Sequence, residues 1–349
     1  PLKNLKDVIV IGNPPYQADT KGDNKTYAAP VYHLFLESFW QACNRVMMIH
    51  PARCLFNPKA VTKNFNEKIL SDEHLKVILY EPNSGKIFDN VDIRGGVAVT
   101  YRDANKIFGK IGVYILFPEL QSIFKKVVID NPNFYPLSEI MYSRTAYSLT
   151  KKVYEDFPNA VENFSKGNQY QMSSNVFELI PEIFFDKKPN DGKEYIQLLG
   201  VIKNKRIFKF VRRDYVTYHE TLEKYKIFIP DSNGSGAIGE KLSTPLVGLP
   251  LVGNTQTFIT LGAFDTRTEA DNALKFIKTK FARALLGVLK VTQHNPPATW
   301  KYVPLQDFTA NSDIDWSRSV AEIDLQLYKK YKLTAEEIEF IESKVKSMV

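Results

Sequence analysis

Cysteine is scarce: the 349 residues hold two, Cys43 and Cys54. That excludes a disulfide-stapled scaffold, and with no secretory leader pattern both read as reduced thiols of a cytoplasmic protein. No Cys/His cluster has metal-ligand spacing, so no metal site is expected. No run of about eighteen apolar residues occurs, which leaves no candidate membrane helix. Internal repeats and long low-complexity tracts are also missing. What remains is ordinary for a globular chain, 44% hydrophobic and 24% charged, and long enough for two domains. The charge balance leans basic, with 46 Lys and Arg against 39 Asp and Glu, a net charge of +7. Such a balance favours a polyanionic partner.

Asn13-Pro14-Pro15-Tyr16 is the most informative segment. It follows Val8-Ile9-Val10-Ile11-Gly12, an apolar run that reads as a buried strand of a parallel sheet. The two prolines stop the strand, so the tetrapeptide sits at its carboxyl end, where open α/β sheets bind ligands. A rigid loop there holds an amide side chain, a carbonyl free of the sheet and an aromatic ring in one constellation. These groups suit a planar, amino-bearing base: two acceptors for an exocyclic amine and a ring to stack on. The alternative reading of the tetrapeptide alone is a Pro-Pro turn closing an ordinary strand, with Tyr16 as packing.

More segments follow in order. Tyr32-His33-Leu34-Phe35-Leu36-Glu37 begins an amphipathic helix to about Ala42. Val46 to Arg53 is a short strand ended by Pro51, and a lone His50 before that proline reads as structural. Val77 to Glu81 is a strand, and Lys86 to Tyr101 reads as a hairpin, with Phe88 before its turn. Gly95-Gly96 permits positive φ or close backbone approach where it tightens.

Gly12-Asn13-Pro14-Pro15-Tyr16 after an apolar strand resembles the catalytic motif of the N6-adenine DNA methyltransferases, and the order of the later segments is similar too. The resemblance implies an α/β fold: the second half of a Rossmann-like S-adenosylmethionine-dependent methyltransferase sheet, then a mixed α+β DNA-recognition domain and a helical tail. It implies Asn13, Pro14, Pro15 and Tyr16 as the catalytic loop and Tyr16 and Phe88 as the rings that stack on a flipped adenine. Phe35 and Asn13 are implied as cofactor contacts, although Phe35 is equally compatible with a core position. Segments at 92–97, Thr292-Gln293-His294, Tyr302 to Phe308 and Ile314 to Tyr331 resemble the large restriction-modification methylases that carry their own target-recognition region. The implied organisation is residues 1–105 as the catalytic half, 106–310 as target recognition and 311–349 as the tail. Double-stranded DNA is the implied partner, and nuclease or helicase domains are possible upstream.

This family pattern also needs a glycine-rich turn ahead of the catalytic motif to hold S-adenosylmethionine, yet only twelve residues precede Asn13. The expectation is a fragment whose cofactor half lies upstream. Gly234-Ser235-Gly236-Ala237-Ile238-Gly239 matches G-x-G-x-x-G in form, but Pro230, Pro245 and Pro250 break the strand and helix it would need. It reads as a surface loop. Asn295-Pro296-Pro297-Ala298 lacks the aromatic and follows no clean strand. Asp19, Asp23 and Asn24 occupy a loop after the motif, with roles undetermined. A non-catalytic DNA-recognition or scaffold module, or a methylase of RNA or protein glutamine, stays open beside DNA adenine methylation.

In the second half, Phe117-Pro118-Glu119-Leu120 opens a helix to about Val128. Ser143 to Tyr147 and Asn168 to Tyr170 are polar-aromatic loops. Strands at 194–201 and 206–211 pair around Lys203-Asn204-Lys205. That hairpin gathers Lys203, Lys205, Arg206, Lys209, Arg212 and Arg213 among Phe208, Phe210 and Tyr215, as a DNA-facing edge does; a solvated charged hairpin has the same pattern. A helix over 268–289 is expected with Thr268 as N-cap. Capping boxes at Ser319–Glu322 and Thr334–Glu337 start two more helices, about 319–331 and 334–347.

Overall fold

A computed structural model describes residues 8–18, 28–56, 61–89, 93, 95–290 and 292–348. The chain divides into two compact units, Pro1–Leu116 and Phe117–Val349. The division falls beyond residue 105, and residues 311–349 belong to the second unit.

In the first unit, β1 (Ile9–Gly12), β2 (Arg45–Pro51), β3 (Leu75–Glu81) and β4 (Val97–Asp103) form one sheet in the order β1-β2-β4-β3. β1 pairs parallel with β2, while β4 is antiparallel to both β2 and β3. Helices α1 (Tyr32–Ala42), α2 (Arg53–Phe56) and α3 (Lys63–Ser71) complete the unit. The helix Tyr32–Ala42 matches the sequence pattern, and Leu36 and Tyr32 supply its core face. The expectation of a buried first strand is corrected: β1 is an edge strand, with Ile9 40% and Ile11 69% exposed. Alternate residues therefore face out, as period two dictates for a strand covered on one face.

The expected hairpin strands are β3 and β4, which pair antiparallel. The glycines between them carry the conformations the sequence suggested, Gly95 at φ 87° and Gly96 at φ 72°. A Cβ on Gly96 would stand 2.2 Å from the carbonyl oxygen of Glu81, so only glycine fits the return into β4.

The second unit holds two further sheets. β10 (Val252–Asn254), β6 (Tyr195–Ile202) and β7 (Lys205–Arg212) form one, and β5 (Met141–Tyr142), β11 (Phe258–Phe264), β8 (Tyr225–Pro230) and β9 (Leu246–Gly248) the other. The β6–β7 hairpin closes through Lys203 (φ 47°) and Asn204 (φ 62°), the positive pair that matches strand twist in a two-residue turn. α4 (Pro118–Phe124) starts with proline at its first position, as read from sequence.

The long helix expected over 268–289 is two helices, α7 (Arg267–Lys278) and α8 (Lys280–Leu286). Thr266, not Thr268, caps α7 in a reciprocal box with Glu269. Thr279 leaves helical geometry and caps α8, whose first amides at Lys280 and Phe281 donate to the buried Asp324 carboxylate. That acid belongs to α9 (Val320–Lys330), which with α10 (Ala335–Lys344) starts at the two expected capping boxes. Among the described residues no helix is long and apolar enough to cross a membrane, and no cluster of His, Cys, Asp or Glu could hold a metal ion.

Candidate active site

The loop after β1 is tied down on its far side. Val31 donates its amide to the Tyr16 carbonyl at 3.1 Å, and Ala18 donates to Ala29 at 2.9 Å. These bonds bring the start of α1 against the motif. Pro14 is buried, Asn13 and Pro15 are exposed, and Tyr16 is half-buried. Among the described residues no hydrogen bond to the Pro14 carbonyl or to the Asn13 side-chain oxygen is found, while the Asn13 amide nitrogen lies toward the Tyr16 hydroxyl.

Tyr16 and Phe88 are brought together, their ring centroids 6.4 Å apart and their planes at 68°. Burial pushes the Tyr16 phenol up to about 12, eased by the neighbouring Asn13 side chain. Its buried hydroxyl has no hydrogen-bond partner, so the ring is placed by packing. Behind it stands Tyr32, edge-on at 6.4 Å and 79°. Tyr32 in turn stacks on His50 at 5.8 Å and 8°.

His50 links three elements. Its Nδ1–H donates to the Pro51 carbonyl at 3.0 Å, and its Nε2 accepts from the Thr100 hydroxyl of β4 at 3.0 Å. Full burial lowers its pKa to about 4, so the ring is neutral. Cys54 lies 3.6 Å from Nδ1, and its burial raises the thiol to about 12. His50 is thus structural, as its sequence context suggested, and Cys54 is an inert buried thiol. Tyr32, Thr100 and Cys54 were not singled out from sequence; only the register of α1 on the sheet reveals them.

Phe35 lies on the outer face of α1, 39% exposed beside Leu34 at 52%. It is not a core residue; Leu36 fills that role. Asp19, Asp23 and Asn24, and the 90–92 turn after Phe88, lie outside the described residues.

The glycine-rich loop at 234–239 has the amides of an anion cradle, but they are taken. Glu240 accepts from the Ser235 amide at 2.8 Å, the Ser235 hydroxyl at 2.6 Å and the Gly236 amide at 3.1 Å. A carboxylate of the chain itself fills the nest, which removes it as a phosphate or cofactor site. Asn295 is fully buried and accepts from Thr299, a local turn contact.

The basic hairpin is largely internal in its bonding. Arg206 donates to the carbonyls of Thr244 and Ser243 at 2.6 and 2.9 Å. Lys209 pairs with Asp186 at 2.5 Å. Arg212 pairs with Asp156 at 2.8 Å and also with Asp214. Arg213 pairs with Glu223 at 2.6 Å. Lys203 and Lys205 are exposed at the tip. The described ion pairs of the hairpin thus lie along its strands, and its exposed lysines at the turn.

Residues 7–88 match the family model described as Eco57I restriction-modification methylase. The matched part of the chain spans the motif, Phe35 and Phe88, and is similar to a restriction-modification methylase. No curated protein matches the chain. Among solved structures, the type IIG restriction endonuclease BpuSI is similar at TM-score 0.35 and 10% identity, over 98% of this chain and 53% of its own. The type IIL restriction-modification enzyme MmeI, in complex with DNA, is similar at TM-score 0.39 and 8% identity, over 96% of this chain and 56% of its own. The ATP-dependent type ISP restriction-modification enzyme LlaBIII, bound to DNA, is similar at TM-score 0.31 and 9% identity, over 84% of this chain and 28% of its own. The chain spans about half the length of the first two, and at these scores the likeness carries no structural argument.

Proposed function

We propose that this chain carries the catalytic loop and the target-reading part of an enzyme that methylates adenine N6 in duplex DNA. The observation that carries the reading is the Asn13–Tyr16 loop at the carboxyl end of β1, with its two acceptors and the Tyr16 ring facing Phe88.

The target base leaves the duplex, as any base must whose amine is to be reached from one side. Tyr16 and Phe88 take its ring. Their present edge-to-face contact gives way as one ring turns, and each stack contributes on the order of 1–3 kcal/mol. The Asn13 side-chain oxygen and the Pro14 carbonyl accept the two N6 hydrogens. Fixing both hydrogens localises the nitrogen lone pair on the open side of the loop. As the amine took the methyl group, the donor's sulfur–methyl bond would break to leave a neutral thioether, and one N6 proton would pass to water. Catalysis on this account is orientation and charge placement, with no carboxylate base in contact.

S-adenosylmethionine, when bound, supplies the methyl group on a sulfonium. Phe35, exposed on α1, and Asn13 are the residues here that fit it from one side. Among the described residues of the first unit no glycine-rich turn and ribose-binding acid complete such a site, and in the second unit Glu240 fills the glycine-rich loop at 234–239. In the second unit, Lys203 and Lys205 contact phosphates from the hairpin turn.

The test is nucleoside mass spectrometry of duplex DNA incubated with the complete protein and S-adenosylmethionine. N6-methyladenine is expected. Methylcytosine alone, or no modified base, contradicts the reading.

A further inference from the structure

Three polar loops, distant in sequence, meet at one end of the sheet β5-β11-β8-β9. β11 runs antiparallel to both β5 and β8, so the exits of β5 and β8 lie beside the entry of β11. β5 exits into Ser143-Arg144-Thr145, β8 exits into Asp231, and Gln256-Thr257 leads into β11. The segment 292–295 joins them: Asn233 donates its amide to Gln293 and Asn295 donates to Asp231, each at 2.7 Å. The loop 168–172 joins from the other side, where Gln256 donates its amide to Met172 at 2.8 Å.

Two arrangements order this end. The buried Asp231 carboxylate lies 3.6 Å from Arg144 Nη1 and 3.6 Å from His294 Nδ1, while both of those side chains are more than half exposed. One buried acid thus aims two exposed donors outward. Beside it runs a chain of amides. Gln256 Nε2 donates to Gln171 Oε1 at 3.3 Å, Gln171 Nε2 to Asn168 Oδ1 at 2.6 Å, and Asn168 Nδ2 to Ser165 Oγ at 2.7 Å. Each amide is fixed in orientation by the next.

Arginine and side-chain amides are the groups that pair bidentately with guanine and adenine edges in the major groove. They are held here on the end of a sheet by buried partners, whereas the arginines of the β6–β7 hairpin are occupied within the protein. Phosphate contacts position a protein on DNA, and base contacts specify the site. We infer that this sheet end is the surface that reads base edges of the target site, with Arg144 and His294 as readers held by Asp231 and with Gln171 as an amide reader oriented by the buried Gln256. The inference rests on the functional reading above and adds to it the residues that choose the sequence.

The experiment uses the complete enzyme and a duplex pool with randomised positions, sequenced for methylated sites. Arg144→Ala is expected to lose tenfold to a hundredfold discrimination, about 1–3 kcal/mol, at one base-pair position while methylation continues. His294→Ala is expected to relax a second position. Arg144→Lys keeps the charge without the fork and is expected to show the same loss, which guards against a misfolded alanine variant. Unchanged site preference in the Arg144→Lys and His294→Ala enzymes overturns the location while leaving the function intact. An unaltered enzyme that methylates nothing in the pool overturns the functional reading itself.

Discussion

His50 is neutral in the folded chain because burial disfavours its charged form by more than the hydrogen bond to the Pro51 carbonyl favours it. Its pKa falls from 6.5 to about 4, so the unfolded chain binds the extra proton first as pH drops. The stability tied to the neutral ring is present above pH 6.5 and is lost as pH falls through the window from 6.5 to about 4. The full loss is of order 3 kcal/mol. His33 and His219 shift in the same direction, so the His50 part is the difference between the parent and a His50→Gln variant in urea unfolding from pH 7 to 4. A flat difference contradicts it. Thr100→Val removes the donor to Nε2 and is expected to cost about 1–3 kcal/mol. The role of His50 was readable from the proline after it. Its stack with Tyr32 was not, because no spacing in the chain encodes how a helix sits on a sheet.

The β6–β7 hairpin shows the same split at the scale of elements. Its strands and its Lys203-Asn204 turn follow from alternation and turn chemistry, and the structure has both. The fate of its cations was not readable, since their partners Asp156, Asp186 and Glu223 come from other segments. Two variants separate the roles. Arg206→Ala uncaps the 243–244 carbonyls and is expected to lower Tm. Lys203→Ala with Lys205→Ala is expected to keep Tm and to flatten the slope of log affinity against log salt by about 2. An unchanged slope places the phosphate footprint elsewhere. In the 82–96 loop, Gly96→Ala meets both positive φ and the Glu81 carbonyl, and is expected to lose more than about 1 kcal/mol in thermal unfolding. The break between α7 and α8 escaped the sequence pattern because Thr279 becomes a cap only when Asp324 arrives to take the next amides.

At the scale of the whole molecule, the first unit holds the loop proposed to act on a base, and the second holds the surface proposed to choose it. The motif was legible because prolines, glycines and an apolar strand leave strong local signals; that the strand lies at the sheet edge was not. The cofactor side is one-faced, so calorimetry of the isolated 349-residue chain with S-adenosylmethionine is expected to show no micromolar binding. Micromolar binding would place a complete cofactor site within these residues. The central claim is that Asn13 positions an adenine amine for methyl transfer. Its most direct test is radiolabelled methyl transfer to duplex DNA by the complete enzyme carrying Asn13→Ala, with DNA affinity measured in parallel. Transfer is expected to fall at least about a hundredfold, as for loss of a group used in the transition state, with affinity largely kept. Transfer at the parent rate contradicts the account.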